Sequence, residues 1–289
     1  MLLLSWNVRY QGLSKRLEAV ASAIGSVEPH IVTLQEVYSK TALDLTKALH
    51  RCGLPYVWHS HDPPCGHHEV AKPYHCVIAS CWPLATPSAG DAWRSHAPFP
   101  ELLGRVLIRT PTGDIDILTV HIPSGAKHGW RKIDTFEVLA RALRRGGDTP
   151  RILTGDFNEP RLFLTSGQIV AFRGDLVDEE GAVSIARGVK QGRPVSDWST
   201  GVRSVLAGTA RHGLRDAYRD RHGVEVATPV THRVRQLPRC FDHTLVSRHF
   251  SVMDCGYHHE WRRQNLSDHS AMWAELRLRG EVPPLTHWE

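Results

Sequence analysis

Arg151-Ile152-Leu153-Thr154 runs directly into Gly155-Asp156-Phe157-Asn158, and the reading of this junction decides the fold. The first four residues read as a short buried strand, and the glycine, aspartate and asparagine follow as the chain leaves the sheet. An aspartate after a glycine is, by itself, an ordinary turn residue. The junction gains meaning because it recurs along the chain. Asn7 closes the apolar run Leu2 to Val8, Glu36 follows His30 to Gln35, and His121 stands at the end of Ile115 to Ile122. Asp242 opens Phe241 to Ser247, and Asp268-His269 precede Ser270 to Leu278. A sheet whose strand ends carry such groups aims them into one crevice, where carboxylate oxygens suit a hard cation and a phosphate.

The segments between these ends alternate in type. Leu17, Val20, Ala21 and Ile24 recur at helical spacing between Ser14 and Val27, with Ser14 as N-cap. A second helix is expected from Thr41 to Cys52, stopped by Gly53, and a third from Trp130 to Arg145, stopped by Gly146-Gly147. Strands are expected at Tyr56 to His59 and His75 to Trp82. Leu102 to Arg109 pairs with Ile115 to Ile122 across the turn Thr110-Pro111-Thr112-Gly113, and Phe250 to Cys255 adds a strand near the C-terminus. Strand, helix, strand, helix opens an α/β fold. No internal repeat and no domain linker interrupts residues 1–289, which read as a single domain. Residues 165–208 are polar, hold one helix capped by Asp197, and read as an insertion or side lobe.

Composition narrows the class. With 289 residues, 41% hydrophobic and 22% charged, the chain is neither disordered nor low-complexity. No apolar run approaches the roughly 18 residues of a membrane helix, and Met1-Leu2-Leu3-Leu4 is too short for a secretory signal. Six cysteines without a CxxC pair read as reduced thiols, which places the protein in the cytoplasm. A monomer is assumed. The net charge is +5, and the stretch Arg203 to Arg239 alone reaches +5, with eight arginines against Asp216, Asp220 and Glu225. Such a stretch attracts nucleic acid or other phosphate anions, or else it is a solvated face with internal ion pairs.

Six ordered segments carry a resemblance to the endonuclease/exonuclease/phosphatase family, whose members include deoxyribonuclease I and the exonuclease III type of abasic-site endonuclease. They are Ser5-Trp6-Asn7-Val8, Leu34-Gln35-Glu36-Val37, Thr119-Val120-His121-Ile122-Pro123, Thr154-Gly155-Asp156-Phe157-Asn158, Phe241-Asp242-His243 and Leu266-Ser267-Asp268-His269. The resemblance implies a four-layer αββα sandwich, two mixed β-sheets flanked by helices. It implies a Mg2+-dependent phosphodiester hydrolase, with Mn2+ able to take the place of Mg2+, in which a metal-activated water attacks in line. Glu36 would be the principal metal ligand, Asn7 a direct or indirect partner, and Asp268 would complete the metal side. Asp156 would orient or deprotonate the water, and Asn158 would hold a phosphate oxygen through its amide. His269 would contact the phosphate or exchange a proton, with Asp242 fixing its tautomer.

Two departures shape the substrate reading. The abasic-site enzymes usually carry Tyr where this chain has His121, and Ser/Thr-Lys where it has Val37-Tyr38. A general nuclease acting on DNA or RNA is therefore favoured, with the basic stretch Arg203 to Arg239 beside the cleft. The alternative is a phosphatase or phosphodiesterase of a small molecule or lipid headgroup, which His121 and the long 165–208 insertion favour. A catalytically dead binding module is opposed by the completeness of the polar set. Outside that set, Cys65-Gly66-His67-His68 with His75-Cys76 has zinc-ligand residue types, but structural zinc sites prefer tighter, paired spacings, and the stretch reads as a His-rich surface loop near the substrate cleft. His258-His259 reads as an exposed turn pair. Trp58, Trp93, Trp130 and Trp198 read as packing residues rather than base platforms.

Overall fold

Apolar alternation along the strands builds two six-stranded mixed sheets that lie face to face. The computed structural model describes residues 1–61, 72–86, 90–144 and 148–280. The first sheet contains β1 (Leu2–Asn7), β2 (Ile31–Tyr38), β3 (Tyr56–His59) and β4 (Tyr74–Ser80), with the strands Phe250–His258 and Ala271–Leu278. Their order is 250–258, 271–278, β1, β2, β4, β3, and only β1 and β2 run parallel. The second sheet contains β5 (Leu84–Ala85), β6 (Leu103–Thr110), β7 (Gly113–His121) and β8 (Arg151–Asp156), with Arg215–Asp216 and Asp242–Val246. Here β7 and β8 are the parallel pair.

Helices cover the outer faces. Helices α1 (Leu13–Gly25) and α2 (Ala42–Arg51) lie on the first sheet, where Leu17, Val20, Ile24, Leu45 and Leu49 meet Trp6, Leu34 and Val77. After the short α3 (Gly125–His128), α4 (Arg131–Arg144) and α5 (Ser196–Leu206) lie on the second, where Phe136, Leu139, Trp198 and Val202 meet Val120 and Leu153. Between the sheets Leu3, Ile31 and Ile78 oppose Val106, Ile117 and Ile152. These three apolar layers are the αββα sandwich that the resemblance implied.

Several local expectations change. α1 begins after Gly12, whose left-handed backbone (φ 72°) turns the chain into the helix, so Ser14 is inside it and caps nothing. α5 follows Val195, and Asp197 sits in its first turn, 3.7 Å from Arg193. Residues 165–208 are divided in character. Their short hairpins expose Leu176, Ile185 and Val189, whereas Trp198, Val202 and Val205 of α5 are buried against the second sheet. His258-His259 is not an exposed turn pair: His258 ends a strand and stacks on Trp261 at 4.2 Å, and His259 Nδ1 lies 2.9 Å from Ser270 Oγ. Trp93 and Trp198 are packed in the core. Among the described residues Cys52, Cys76, Cys81, Cys240 and Cys255 are free thiols, and no helix is long and apolar enough to cross a membrane.

The zinc-type motif does not assemble as written. Cys65, His67 and His68 lie outside the described residues. His75 and Cys76 are neighbours on β4 and therefore point to opposite faces. The Cys76 Sγ donates to Leu102 O between the sheets, while His75 faces the α2 side.

Candidate active site

Strand register brings the polar strand ends together. In the second sheet His121 pairs with Asp156, and Asp156 pairs with Asp242, so β7, β8 and the strand Asp242–Val246 present three site residues in one row. In the first sheet Asn7 ends β1 beside Gln35 of β2. β2 is irregular between Leu34 and Val37, and Glu36 within it has φ 58°, a left-handed backbone that a glutamate rarely adopts. That irregularity re-aims Glu36 toward Asn7 and the cleft. Asn158 is the second site residue with such a backbone, at φ 50°.

Asp156 is the hub. Its Oδ2 accepts from Asn7 Nδ2 at 3.0 Å and lies 3.6 Å from His121 Nε2 and 3.7 Å from His269 Nε2. Its Oδ1 accepts from the Asn158 backbone N–H at 2.8 Å. Asn7 spans both sheets, since the same amide reaches Glu36 Oε1 at 3.4 Å. Glu36 Oε2 accepts from Tyr10 N at 3.2 Å, and Glu36 Oε1 lies 3.7 Å from His121 Nε2. Thus Asn7, Glu36, His121, Asp156, Asp242 and His269 are brought into one constellation. Asn158 adjoins it: its side-chain amide donates to Ile122 O at 2.9 Å and approaches Asp156 Oδ2 at 3.5 Å. That amide braces the loop and the aspartate.

Electrostatics separates the roles of the two histidines. His269 Nδ1 donates to Asp242 Oδ2 at 2.9 Å. Burial opposes the charged ring, but Asp242, Asp156 and Asp268 outweigh it and lift the pKa to about 10. His269 is therefore an imidazolium at neutral pH. His121 lies under Tyr74 (5.6 Å between ring centroids), and Tyr74 is itself stacked on Tyr10 at 4.6 Å. Burial, followed by the charge of Glu36, raises the Tyr74 pKa above its usual range and keeps the phenol neutral.

Asp268 stands at the mouth of the cleft. Its carboxylate is 43% exposed and lies 3.9 Å from Arg9 Nε. The neighbouring Ser267 Oγ donates to Asn7 O at 2.6 Å, which ties this loop to the end of β1. The chemistry of the donor set fits a divalent ion. A carboxylate has about four lone-pair sites, and among the described residues Glu36 accepts hydrogen bonds from Asn7 and Tyr10. Ligand atoms of Asp156, Asp242 and His269, and those of His232, Asp268 and His269, also lie within 4.8 Å of one another. A protonated His269 has no lone pair to offer, so the oxygen donors are the fitting ligands.

Two groups in this region escaped the sequence reading. His232 stacks on His269 at 4.1 Å and 17°, with Nδ1 3.0 Å from Asp268 O. It opens the hairpin His232–Val234 and Leu237–Arg239, and nothing in its sequence neighbourhood marked it. Beneath Asn158, Lys132 of α4 donates to Asn158 O at 2.6 Å and pairs with Glu159 Oε1 at 3.0 Å, both side chains being buried. Glu159 also accepts from Trp198 Nε1 at 3.0 Å.

The basic stretch divides in two. Arg203 pairs with Asp175 and Arg215 with Asp220, each at 2.7 Å, and Arg219 donates to Val226 O and Thr228 Oγ1. Those arginines hold the fold. Arg233, Arg235 and Arg239 belong to the hairpin that carries His232 to His269, where Arg233 donates to Gln236 O and Arg239 to Pro238 O.

The profile of the Endonuclease/Exonuclease/phosphatase family matches residues 4–269. The chain belongs to this family. Family membership makes it a hydrolase of phosphoester bonds. The family depends on divalent metals, and the acidic and histidine groups described above could bind one. Solved structures similar in fold include a 3′ phosphatase, NExo, from Neisseria bound to product DNA hairpin, at 20% identity and TM-score 0.64 over 96% of this chain and 99% of that one. An AP endonuclease from Archaeoglobus fulgidus is similar at 18% identity and TM-score 0.62, over 96% and 100% of the two chains. TDP2 from D. rerio, complexed with single strand DNA product, is similar at 14% identity and TM-score 0.62, over 96% and 98%. No curated protein matches the sequence.

Proposed function

We propose that this phosphoester hydrolase is a Mg2+-dependent nuclease that cleaves DNA or RNA. The observation that carries the reading is the position of Asp156 at the end of β8, whose one oxygen faces Asn7 and His269 from the side of the first sheet and His121 from the second. Glu36 and Asp268, with Asn7 beside them, would hold the metal, and a bound Mg2+ supplies charge neutralisation at the phosphate and the leaving oxygen. Asp156 is an acceptor at the centre of the cleft, so it orients the attacking water and takes its proton. Asn7 and Asn158 keep its two oxygens fixed. His269, held as an imidazolium by Asp242, donates from Nε2 to a phosphate oxygen, where it stabilises the charge that builds during attack. His121 Nε2 lies between Glu36 and Asp156 and donates to the phosphate or to the leaving oxygen.

The arginine-bearing 232–239 hairpin supports a nucleic acid rather than a small phosphoester, because its His232 stacks on His269 and so brings the positive charge of the hairpin next to the site. Binding through such contacts weakens as salt rises. The DNA-bound neighbours of the same fold accord with this reading. The test is hydrolysis of plasmid, single-stranded DNA, RNA and a chromogenic bis-phosphodiester with Mg2+, with and without EDTA. Salt-sensitive cleavage of a nucleic acid, abolished by EDTA, is expected. Turnover of the small diester alone would move the assignment to a small-molecule or lipid phosphodiesterase.

A further inference from the structure

A second group of metal-binding side chains lies away from the cleft. His59 at the end of β3, His61 just beyond it and His75 on β4 each bring one ring nitrogen within 4.8 Å of the others. The His61 ring meets His75 edge-on at 4.0 Å between centroids, and His59 lies 5.1 Å from His75. Alternation along β4 separates them from the catalytic groups. Tyr74 points to the cleft, where it meets His121, whereas His75 shares the opposite face with Val77 and Ala79, which pack beneath α1 and α2.

Hydrogen bonding determines which nitrogen of His59 carries the proton. The Thr46 hydroxyl has one proton and donates it to Ala42 O at 3.0 Å. The 2.9 Å contact between Thr46 Oγ1 and His59 Nε2 is then a bond donated by His59. A neutral His59 therefore carries its lone pair on Nδ1, which faces His75 Nε2 at 2.9 Å. An outer hydrogen bond of this kind, fixing tautomer and ring orientation, is what metal-ligating histidines usually have. His75 is fully buried, and its Nδ1 has no hydrogen-bond partner among the described residues.

We propose that His59, His61 and His75 form a Zn2+ site that ties the end of β3 to β4 beneath α2, separate from the catalytic centre. The ion takes the place of the proton shared between His59 Nδ1 and His75 Nε2, and that proton moves to His75 Nδ1. Imidazole donors suit Zn2+ and disfavour Mg2+, which takes oxygen ligands, so the two sites select different ions. β3 is a four-residue edge strand held only by β4 within the sheet. Cross-linking it at this point stabilises the weakest border of the first sheet. The motif noted in the sequence thus contributes His75 but not Cys76, and its partners come from β3.

The test uses the full chain with Zn2+ and with Co2+ as a spectroscopic substitute. Retention of Zn2+ after dialysis against Mg2+ buffer is expected, together with an intense visible Co2+ band of the four-coordinate kind and a higher Tm with Zn2+. All three should vanish in the His59→Gln/His61→Ala double variant, whose two positions are only part-buried. They should persist in Glu36→Gln, which alters the catalytic metal side. If the double variant does not fold, His61→Ala alone carries the same comparison. A wild-type protein without the Co2+ band, or a band lost in Glu36→Gln and kept in the histidine variant, overturns the proposal.

Discussion

His269 links two carboxylates: its Nδ1 donates to Asp242 at 2.9 Å, and its Nε2 faces Asp156 at 3.7 Å. One ring thereby couples the strand Asp242–Val246 to the end of β8 through charge as well as register.

The raised pKa of His269 makes stability depend on alkaline pH. The group moves from 6.5 to about 10 on folding, so the folded state holds the proton more tightly than the unfolded state. Its contribution is complete below about pH 6.5 and is lost as pH rises through about 10. Tm should fall from pH 7 to pH 10, and Asp242→Asn should flatten that fall by returning the imidazole toward its ordinary range. Histidine NMR titration combined with thermal melts measures both. An unchanged His269 titration in Asp242→Asn would refute the account.

Asp156→Asn preserves size while removing the charge at the hub. Metal-dependent hydrolysis should drop by about 10²–10⁴-fold with a cooperative melt retained. Initial-rate assays on the preferred substrate, with circular dichroism as control, decide it. Full activity in this variant would remove Asp156 from the chemistry.

The Lys132–Glu159 pair underlies the loop that carries Asn158. Lys132→Met strands Glu159 in the core, with side-chain exposure at 0%, and should cost about 3–5 kcal/mol in urea denaturation. Activity should fall as well, because Asn158 O loses the bond that anchors it. A loss of less than about 1 kcal/mol, the value of an exposed pair, would mean that the pair is not held as described.

Gly155 cannot become alanine without moving the site. A Cβ there would stand 2.0 Å from Val120 O, and the backbone has φ 140°. The parallel pairing of β7 with β8 must open to admit it, shifting Asp156 against His121. Gly155→Ala should destabilise by at least about 1–3 kcal/mol and abolish hydrolysis. Gly208→Ala, with nothing within 4 Å, should leave both unchanged. Denaturation midpoints and rates of the two variants are the comparison.

The elements with locally encoded limits were the most legible. Tyr56–His59, the β6–β7 hairpin, α2 and α4 fall close to the expected bounds because their apolar spacing and glycine stops are local signals. The helix starts were less legible, since α1 begins on the left-handed backbone of Gly12 and α5 after Val195, neither with the side-chain cap that was expected. The bond from the Asn158 amide to Ile122 O has no local signal either, because it is set by how β7 leaves its sheet.

From sequence alone come the order of strands and helices, the polar residues at strand ends, and the family those segments resemble. All of these depend on neighbours within a few residues. Only the tertiary structure decided that His232 lies on His269, that Lys132 lies beneath Asn158, that His59, His61 and His75 meet, and which arginines are engaged by the fold. Those contacts arise from sheet register and layer packing, which join residues far apart in the chain and leave no trace in the spacing around any one of them.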